Sequence, residues 1–407
     1  MISLASEKCC GCTACVSICP KKCLEMVDDG EGFLIPKLTH EEDCIKCNMC
    51  NKACPVLNNE KELKKEQQGF IVQNMDQKVR QESTSGGAFT AIAKTTIANG
   101  GAVYGVAYGE GFKVMHMCVN EEKELWRFRN SKYVQSYLGD TFSKVKEQLD
   151  NSTLVCFSGT PCQIEGLRSY LRKDYQNLIL VDVVCHGISS PLIWEKYLEL
   201  NENNLPEQIF FRWKHYGYKY STMSFFNKEK EVYYGGVESD PMLRAYFTNS
   251  CDRMTCYECP FKKRYRVSDI TIWDCFQPNY FDKSFDDDKG TTSVLIHSDK
   301  GKAFFEKVLE MGTLKFKEVD VDELVFGNNE MIGSVTKGAD RETLLKDAKV
   351  MPAKDLFNKY YPSSIKSKIK RFVRLSLLKI GVYKKVKYML FLKRRKNAKD
   401  SNKHENI

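Results

Sequence analysis

The sequence predicts two units of different class: a small α+β module over residues 1–58, then an α/β domain with added antiparallel β and a C-terminal basic amphipathic helix. Three observations predict this. A four-cysteine pattern occurs twice near the start, short apolar runs alternate with helical stretches through the middle, and residues 363–407 change composition. A chain of 407 residues has room for the small module and one large core or two moderate ones.

The pattern C-x-x-C-x-x-C-x-x-x-C-P runs through Cys9, Cys12, Cys15, Cys19 and Pro20, and again through Cys44, Cys47, Cys50, Cys54 and Pro55. Two-residue intervals let one loop wrap three corners of a 4Fe-4S cubane, and in two-cluster ferredoxins the last cysteine of each run crosses to the other cluster. The expected ligand sets are therefore Cys9, Cys12, Cys15 and Cys54 for one cluster, and Cys44, Cys47, Cys50 and Cys19 for the other. A pair of zinc knuckles is the rival, but zinc sites typically draw on two C-x-x-C pairs. Residues 24–27 and 33–35 read as short strands joined through Asp28, Asp29 and Gly30, and the polar residues 58–68 as a linker. Eighteen cysteines with no apolar export segment in residues 1–8 point to metal rather than disulfides, and to the cytoplasm.

Beyond residue 69 the elements follow in order. Residues 70–72 read as a strand, 83–87 as a turn feeding a helix over 88–98, and 102–108 and 114–119 as strands. Residues 154–157 form an apolar strand ending in Ser158-Gly159-Thr160-Pro161-Cys162, with a helix behind it. Residues 178–184 repeat the design, leading to Cys185-His186-Gly187 and a helix over 191–200. Strand–turn–helix units of this kind predict a mainly parallel sheet with functional loops at the carboxyl ends of its strands. Residues 209–237 alternate with many aromatics and read as antiparallel β. A C-x-x-C at Cys256 and Cys259 precedes a strand at 269–273, and a helix follows around 302–311.

The strings SGGAFTAIA, GGAVYGVAY, NSKYVQSYLGDTF, FSGTPCQIEGL, VDVVCHGISSP, CYECPFK and RVSDITIWD, in that order over residues 73–315, resemble the coenzyme F(420) hydrogenase/dehydrogenase beta-subunit family. The resemblance implies residues 69–150 as an N-terminal and 151–330 as a C-terminal family domain, often preceded by a two-cluster ferredoxin. It further implies a flavoprotein that binds FAD and passes electrons between clusters and a two-electron partner. Relatives reduce chlorophyll precursors, and many bacterial members sit among surface-polysaccharide genes.

With a flavin implied, Ser85, Gly86 and Gly87 at a helix start are candidate phosphate contacts, because free N–H groups and the helix dipole favour anions there. A plain helix cap is the simpler reading of the same residues. Ser158, Gly159 and Thr160 form a second candidate group, and Ser131 and Lys132 a third, with Lys132 able to meet a phosphate or the reduced ring's charge. Cys162, Cys185, Cys256 and Cys259 lie within the matched strings and would hold a third 4Fe-4S cluster if they converge. Cys251 and Cys275 are alternative ligands, zinc is the rival metal, and buried apolar thiols are the bland alternative. His186 is a candidate proton donor or a structural histidine. Trp213, Tyr216, Tyr218 and Tyr220 either flank the flavin or fill an aromatic β core.

From residue 363 onward fifteen Lys and Arg face only Asp400 and Glu405, so the preceding residues are slightly acidic and no nucleic-acid partner is indicated. Ile365, Ile369, Phe372, Val373, Leu377, Ile380, Tyr383 and Leu390 recur at helical intervals, with Gly381 as a kink. This tail is expected to contact the inner face of the cell membrane or to dock a partner. No apolar run is long enough to span a bilayer, and no G-x-G-x-x-G follows a strand. The predicted activity is an iron–sulfur flavoprotein oxidoreductase acting on an organic two-electron substrate, supplied by reduced ferredoxin or another redox protein. The alternative is a non-catalytic electron-carrier subunit of a larger redox complex.

Overall fold

The structure is a computed structural model and describes residues 3–59 and 62–404. Each cysteine run opens a one-turn helix, Ala14–Ser17 and Met49–Lys52. Between them β1 (Leu24–Asp28) and β2 (Leu34–Leu38) pair antiparallel. The Asp29 carboxylate closes their turn by accepting from the Glu31 and Phe33 N–H groups at 2.8 and 3.1 Å. Asp, Asn and Gly at such positions offer the backbone a local partner in place of a ladder.

The remaining strands are β3 (Gln68–Asn74), β4 (Ala102–Tyr108), β5 (Val114–Val119), β6 (Val155–Gly159), β7 (Leu178–Val183), β8 (Gln208–Trp213), β9 (Thr222–Asn227), β10 (Lys230–Gly235), β11 (Ile270–Asp274), β12 (Thr292–Ile296) and β13 (Leu314–Val319). Strands β8–β10 make a separate antiparallel sheet, as the alternating aromatics predict. The other eight form one sheet in the order β13-β3-β12-β11-β7-β6-β4-β5.

The expectation of a mainly parallel sheet holds only at its centre. Strands β4, β6, β7 and β11 run parallel, but β5 on one side and β12, β3 and β13 on the other pair antiparallel. The cause at β5 is connection length: a parallel neighbour needs a crossover, and the few residues between β4 and β5 permit only a hairpin. Segments 69–150 and 151–330 both contribute to this sheet: β3 lies between β13 and β12, and β4 and β5 extend it beyond β6.

One face of the sheet packs on the helices Ala88–Ala98 and Asp299–Glu310, with Ile92, Phe305 and Val308 fully buried. The other face packs on Thr141–Asp150 and Pro161–Leu171, and its core runs on into Cys10, Cys12 and Ala14 of the first cysteine loop. Cys12 lies against Gly166, where a Cβ would stand 2.7 Å from the cysteine's own, so only glycine lets the loop seat this closely. Arg253, 4% exposed, holds the same junction: Nη1 donates to the Cys9 carbonyl at 2.7 Å, and Nη2 to the Leu34 carbonyl and Gln135 Oε1. The expected linker is pinned as well, through Asn59 to Lys263, Glu62 to the Tyr265 N–H and Gln67 to His297. The cysteine-rich module is thus part of the body.

The 83–87 turn threads between β3 and β12. A Cβ on Gly86 would meet the Val72 carbonyl oxygen at 2.5 Å and the Thr292 nitrogen at 2.6 Å, both backbone atoms of paired strands. Gly86→Ala is expected to cost about 3 kcal/mol or more, since neither strand can yield without breaking its ladder. The urea midpoint checks this; an unshifted midpoint contradicts it.

The tail is two helices, Ile365–Lys379 and Val382–His404, turned at Gly381 with φ 72°. Basic side chains bind it to acidic residues of the body: Arg374 to Glu238, Lys384 to Asp288 at 2.7 Å, and Arg395 to Glu323. Among the described residues no helix is long and apolar enough to cross a membrane.

Candidate functional site

A cavity of ≈ 1300 Å³ opens at the carboxyl edge of the parallel strands. Open α/β sheets place ligand sites at that edge, where loops diverge from strand ends. Strand β6 delivers Ser158, Gly159 and Thr160, and β7 delivers Cys185, His186 and Gly187. The helix Ala88–Ala98 enters through Gly87 (φ 81°), and its first turn lines the wall without a side-chain cap. Its leading N–H groups therefore remain available to an anion.

Seven of the eight predicted cofactor residues line this cavity: Ser85, Gly87, Ser131, Lys132, Ser158, Gly159 and Thr160. Gly86 does not; its N–H goes to Thr292 Oγ1 at 2.8 Å and its place is set by close packing. The Ser85 hydroxyl donates to the Thr291 carbonyl at 2.6 Å, which anchors the turn to β12. Thr84 Oγ1 accepts from the Ser131 N–H at 2.7 Å and joins two of the predicted loops side by side. Tyr218 and Tyr220 line the cavity, whereas Trp213 packs on Phe210 and Phe226, and Tyr216 on His215 and Tyr234.

Lys132 is turned back on its own loop. Its ammonium donates to the carbonyls of Arg127, Arg129 and Asn130 at 3.1, 3.1 and 3.2 Å, and burial pulls its pKa down to about 7. Lys214 plays the same part for the 83–87 turn, donating to the carbonyls of Arg80 and Ser85, and burial lowers it too to about 7. His186 faces the cavity with Nε2 2.7 Å from Asn249 Oδ1, and burial keeps the ring below its usual range. With Oδ1 facing it, Nε2 carries the ring proton, so the neutral ring offers an accepting Nδ1 rather than a proton to give.

Neighbouring cysteine sets lie close to one another, and the third reaches this cavity through Cys185. Cys9, Cys12, Cys15 and Cys54 line one small enclosed space with Thr13, Met26 and Pro36. Burial raises the thiol of Cys15 to about 12, with Cys9, Cys54 and Cys50 close enough to add to it. Of the second set, Cys19, Cys44 and Cys50 are half-buried and Cys47 is exposed; Cys19 and Cys44 both lie close to Cys23. Cys162, Cys185, Cys256 and Cys259 are brought together, each near enough to the others to influence their titration. Burial raises Cys185 to about 12 and Cys259 to about 11. Cys10 bridges the first and third sets, its thiol hydrogen-bonded to both Cys12 and Cys162. Cys251 packs against Ser189 and Ser190, and Cys275 against Ser293 at the end of β11.

A tetrahedral zinc with Zn–S of about 2.3 Å draws its sulfurs to roughly 3.8 Å of one another. Among the described residues no three cysteine sulfurs lie within 4.8 Å of each other; the one compact group of potential ligands is exposed His40, Glu42 and Asp43.

Sequence reasoning missed Arg212 and Asp274, which face each other across the cavity wall at 3.4 Å. Arg212 also donates to Tyr133 and Asp274 accepts from Tyr218. Their signal was a single charge at the end of an apolar strand. It also missed His116, whose Nδ1 pairs with Ser136 Oγ at 3.0 Å and Nε2 with the Ser158 carbonyl at 3.1 Å beneath the β6 loop. Burial lowers its pKa to about 4. The folded state thus resists protonating a ring that the unfolded chain protonates near 6.5. This contribution is present above that value and is lost as pH falls toward 4, by about 3 kcal/mol. His116→Asn, which cannot titrate, is expected to lose that much less stability than the wild type between about pH 7 and about pH 4. Equal losses contradict the assignment.

Residues 152–322 match the profile for the C terminus of the coenzyme F(420) hydrogenase/dehydrogenase beta subunit. That segment, under half of the chain, is similar to the C-terminal part of the family's beta subunits. The matched segment of the beta-subunit family carries β6 to β13 together with Cys162, Cys185, Cys256 and Cys259. No curated protein matches the chain. Among solved structures it is similar to a chain of the F(420)-reducing NiFe hydrogenase complex from Methanosarcina barkeri, in a xenon derivative. That likeness covers 75% of this chain and 95% of the other, at 15% identity and a TM-score of 0.44. The likeness of this segment is to a subunit of an oxidoreductase.

Proposed function

We propose that the chain is an iron–sulfur flavoprotein oxidoreductase, with two 4Fe-4S clusters held in residues 1–58, a third by Cys162, Cys185, Cys256 and Cys259, and FAD in the large cavity. The observation that carries this is the succession of neighbouring cysteine sets, from the exposed Cys47, through the buried Cys9, Cys12, Cys15 and Cys54, to Cys185 on the cavity wall. Bound FAD would convert one-electron traffic from clusters into two-electron chemistry on an organic substrate.

The residues fit such a cofactor. The uncapped first turn at Ala88 and the hydroxyls of Ser131 and Thr160 suit a pyrophosphate. Lys132 and Lys214 hold those loops in place through backbone carbonyls. His186 Nδ1 is an acceptor for a proton released at the substrate. A cavity of ≈ 1300 Å³ exceeds the roughly 300–1,000 Å³ typical of a single-ligand site. The surplus favours a catalytic subunit with its own substrate space over a pure electron carrier. Reduced ferredoxin or a similar protein is the proposed donor, docking where Cys47 and Ile45 are exposed. The outward side of the tail, with exposed Ile365, Ile369, Phe372 and Met389 among lysines, is proposed to rest on the inner membrane surface. A role in surface-polysaccharide synthesis is consistent with that placement.

The test is anaerobic. Reduced ferredoxin is added to the chain with and without FAD, and oxidised viologen is supplied as acceptor. The reading expects bleaching of bound flavin by reduced ferredoxin, abolished in Cys9→Ser. Direct flavin reduction by NADH, or none by ferredoxin, contradicts it.

A further inference from the structure

The helix Val382–His404 turns one face to the cavity mouth: Tyr383, Lys387, Leu390, Phe391 and Arg394 recur at helical intervals and all line it. The hairpin is held there by the three acid–base anchors at Arg374, Lys384 and Arg395, and by Phe391 and Arg395 against the Tyr280 ring. The tail is therefore a wall of the site.

The other cations of this cavity are already engaged. Arg129, Arg212, Lys219 and Arg374 pair with Glu82, Asp274, Asp286 and Glu238, and Lys132 is spent on carbonyls. Among the described residues Lys387 and Arg394 line the same wall with no carboxylate or carbonyl partner, Lys387 lying over the Tyr383 ring. Both are exposed at the mouth and two turns apart on one helix face. Two unneutralised cations beside Tyr383 and Phe391 suit a group that is anionic at one point and apolar or planar next to it.

We propose that Lys387 and Arg394 form a phosphate subsite for the substrate, which enters past the tail and is a phosphate- or diphosphate-bearing organic molecule. This rests on the reading that the cavity holds a cofactor and a substrate together. Its anion comes either from a soluble phosphorylated compound or from a lipid headgroup presented by the surface on which the hairpin rests.

The test compares the cofactor-loaded wild type with Lys387→Ala/Arg394→Ala, using inorganic pyrophosphate by calorimetry and phosphatidylcholine vesicles with and without phosphatidylglycerol by sedimentation. Iron and flavin are counted on the same samples. The double variant is expected to bind one probe at least tenfold more weakly at unchanged iron and flavin content, while Lys387→Arg restores binding. Loss confined to pyrophosphate supports a soluble substrate; loss confined to phosphatidylglycerol vesicles supports a headgroup. Unchanged binding of both probes, no binding of either by the wild type, or loss of flavin from the double variant overturns the subsite. A chain that never holds flavin yet loses pyrophosphate binding on substitution overturns the cofactor reading and leaves the subsite standing.

Discussion

Cys256→Ser is expected to lower the iron content of the anaerobically purified chain from about twelve atoms to about eight, at four per cubane. Cys256 is buried, and its thiol is held well above its ordinary value by that burial, with Asp252, Cys185, Cys259 and Cys162 adding to the effect. On the proposed reading, a cationic iron–sulfur core would replace the four thiol protons at once. A serine hydroxyl is a far weaker ligand for iron, so one substitution empties the set. Iron at the other proposed sets is expected to stay, because those cysteines come from other segments, Cys9 to Cys15 and Cys54 around their own space. Flavin reduction by ferredoxin should then slow while flavin content holds. Iron unchanged in Cys256→Ser would remove the third cluster.

The second large effect lies at the seam between module and body. Arg253→Ala would leave the Cys9 and Leu34 carbonyls and Gln135 Oε1 without a donor in a place closed to water. Hydrogen bonds to a charged donor contribute about 1.5–3 kcal/mol each, and buried acceptors left bare bear the full desolvation penalty. The guanidinium also covers the Phe33 ring at 5.0 Å. The expected loss is about 3–5 kcal/mol, read from denaturant unfolding, with faster proteolysis near residues 58–68. Arg253→Lys keeps the charge but not the fork that reaches three acceptors, and should lose more than half as much. An unchanged unfolding midpoint in Arg253→Ala would mean that the module is not held by this contact.

Much of this was legible in the sequence where local pattern and chemistry coincide. The helix at Ala88–Ala98 and strands β4 and β5 lie where the turn residues and alternation place them, because glycines bound each of them. The spacing of the first run, with Cys54, picked out four cysteines that line one space. What the sequence conceals is set by distant partners. The antiparallel edges of the sheet depend on connection geometry, and β12 and β13 carry no signal of which neighbour they choose. Lys132 reads as a phosphate contact until the structure shows three carbonyls around it. Arg253 is one arginine among many in the sequence, and only folding brings Cys9, 244 residues away, to its guanidinium. The tail's composition revealed an amphipathic helix but not that its basic face closes on Glu238, Asp288 and Glu323.

The proposed function requires iron–sulfur clusters on three cysteine sets beside a bound flavin. Quantifying iron, acid-labile sulfide, zinc and flavin on the chain purified without oxygen tests it most directly. About twelve iron, about twelve sulfide and one FAD per chain, in brown protein, are expected. Stoichiometric zinc, or a colourless chain free of both sulfide and flavin, would contradict it.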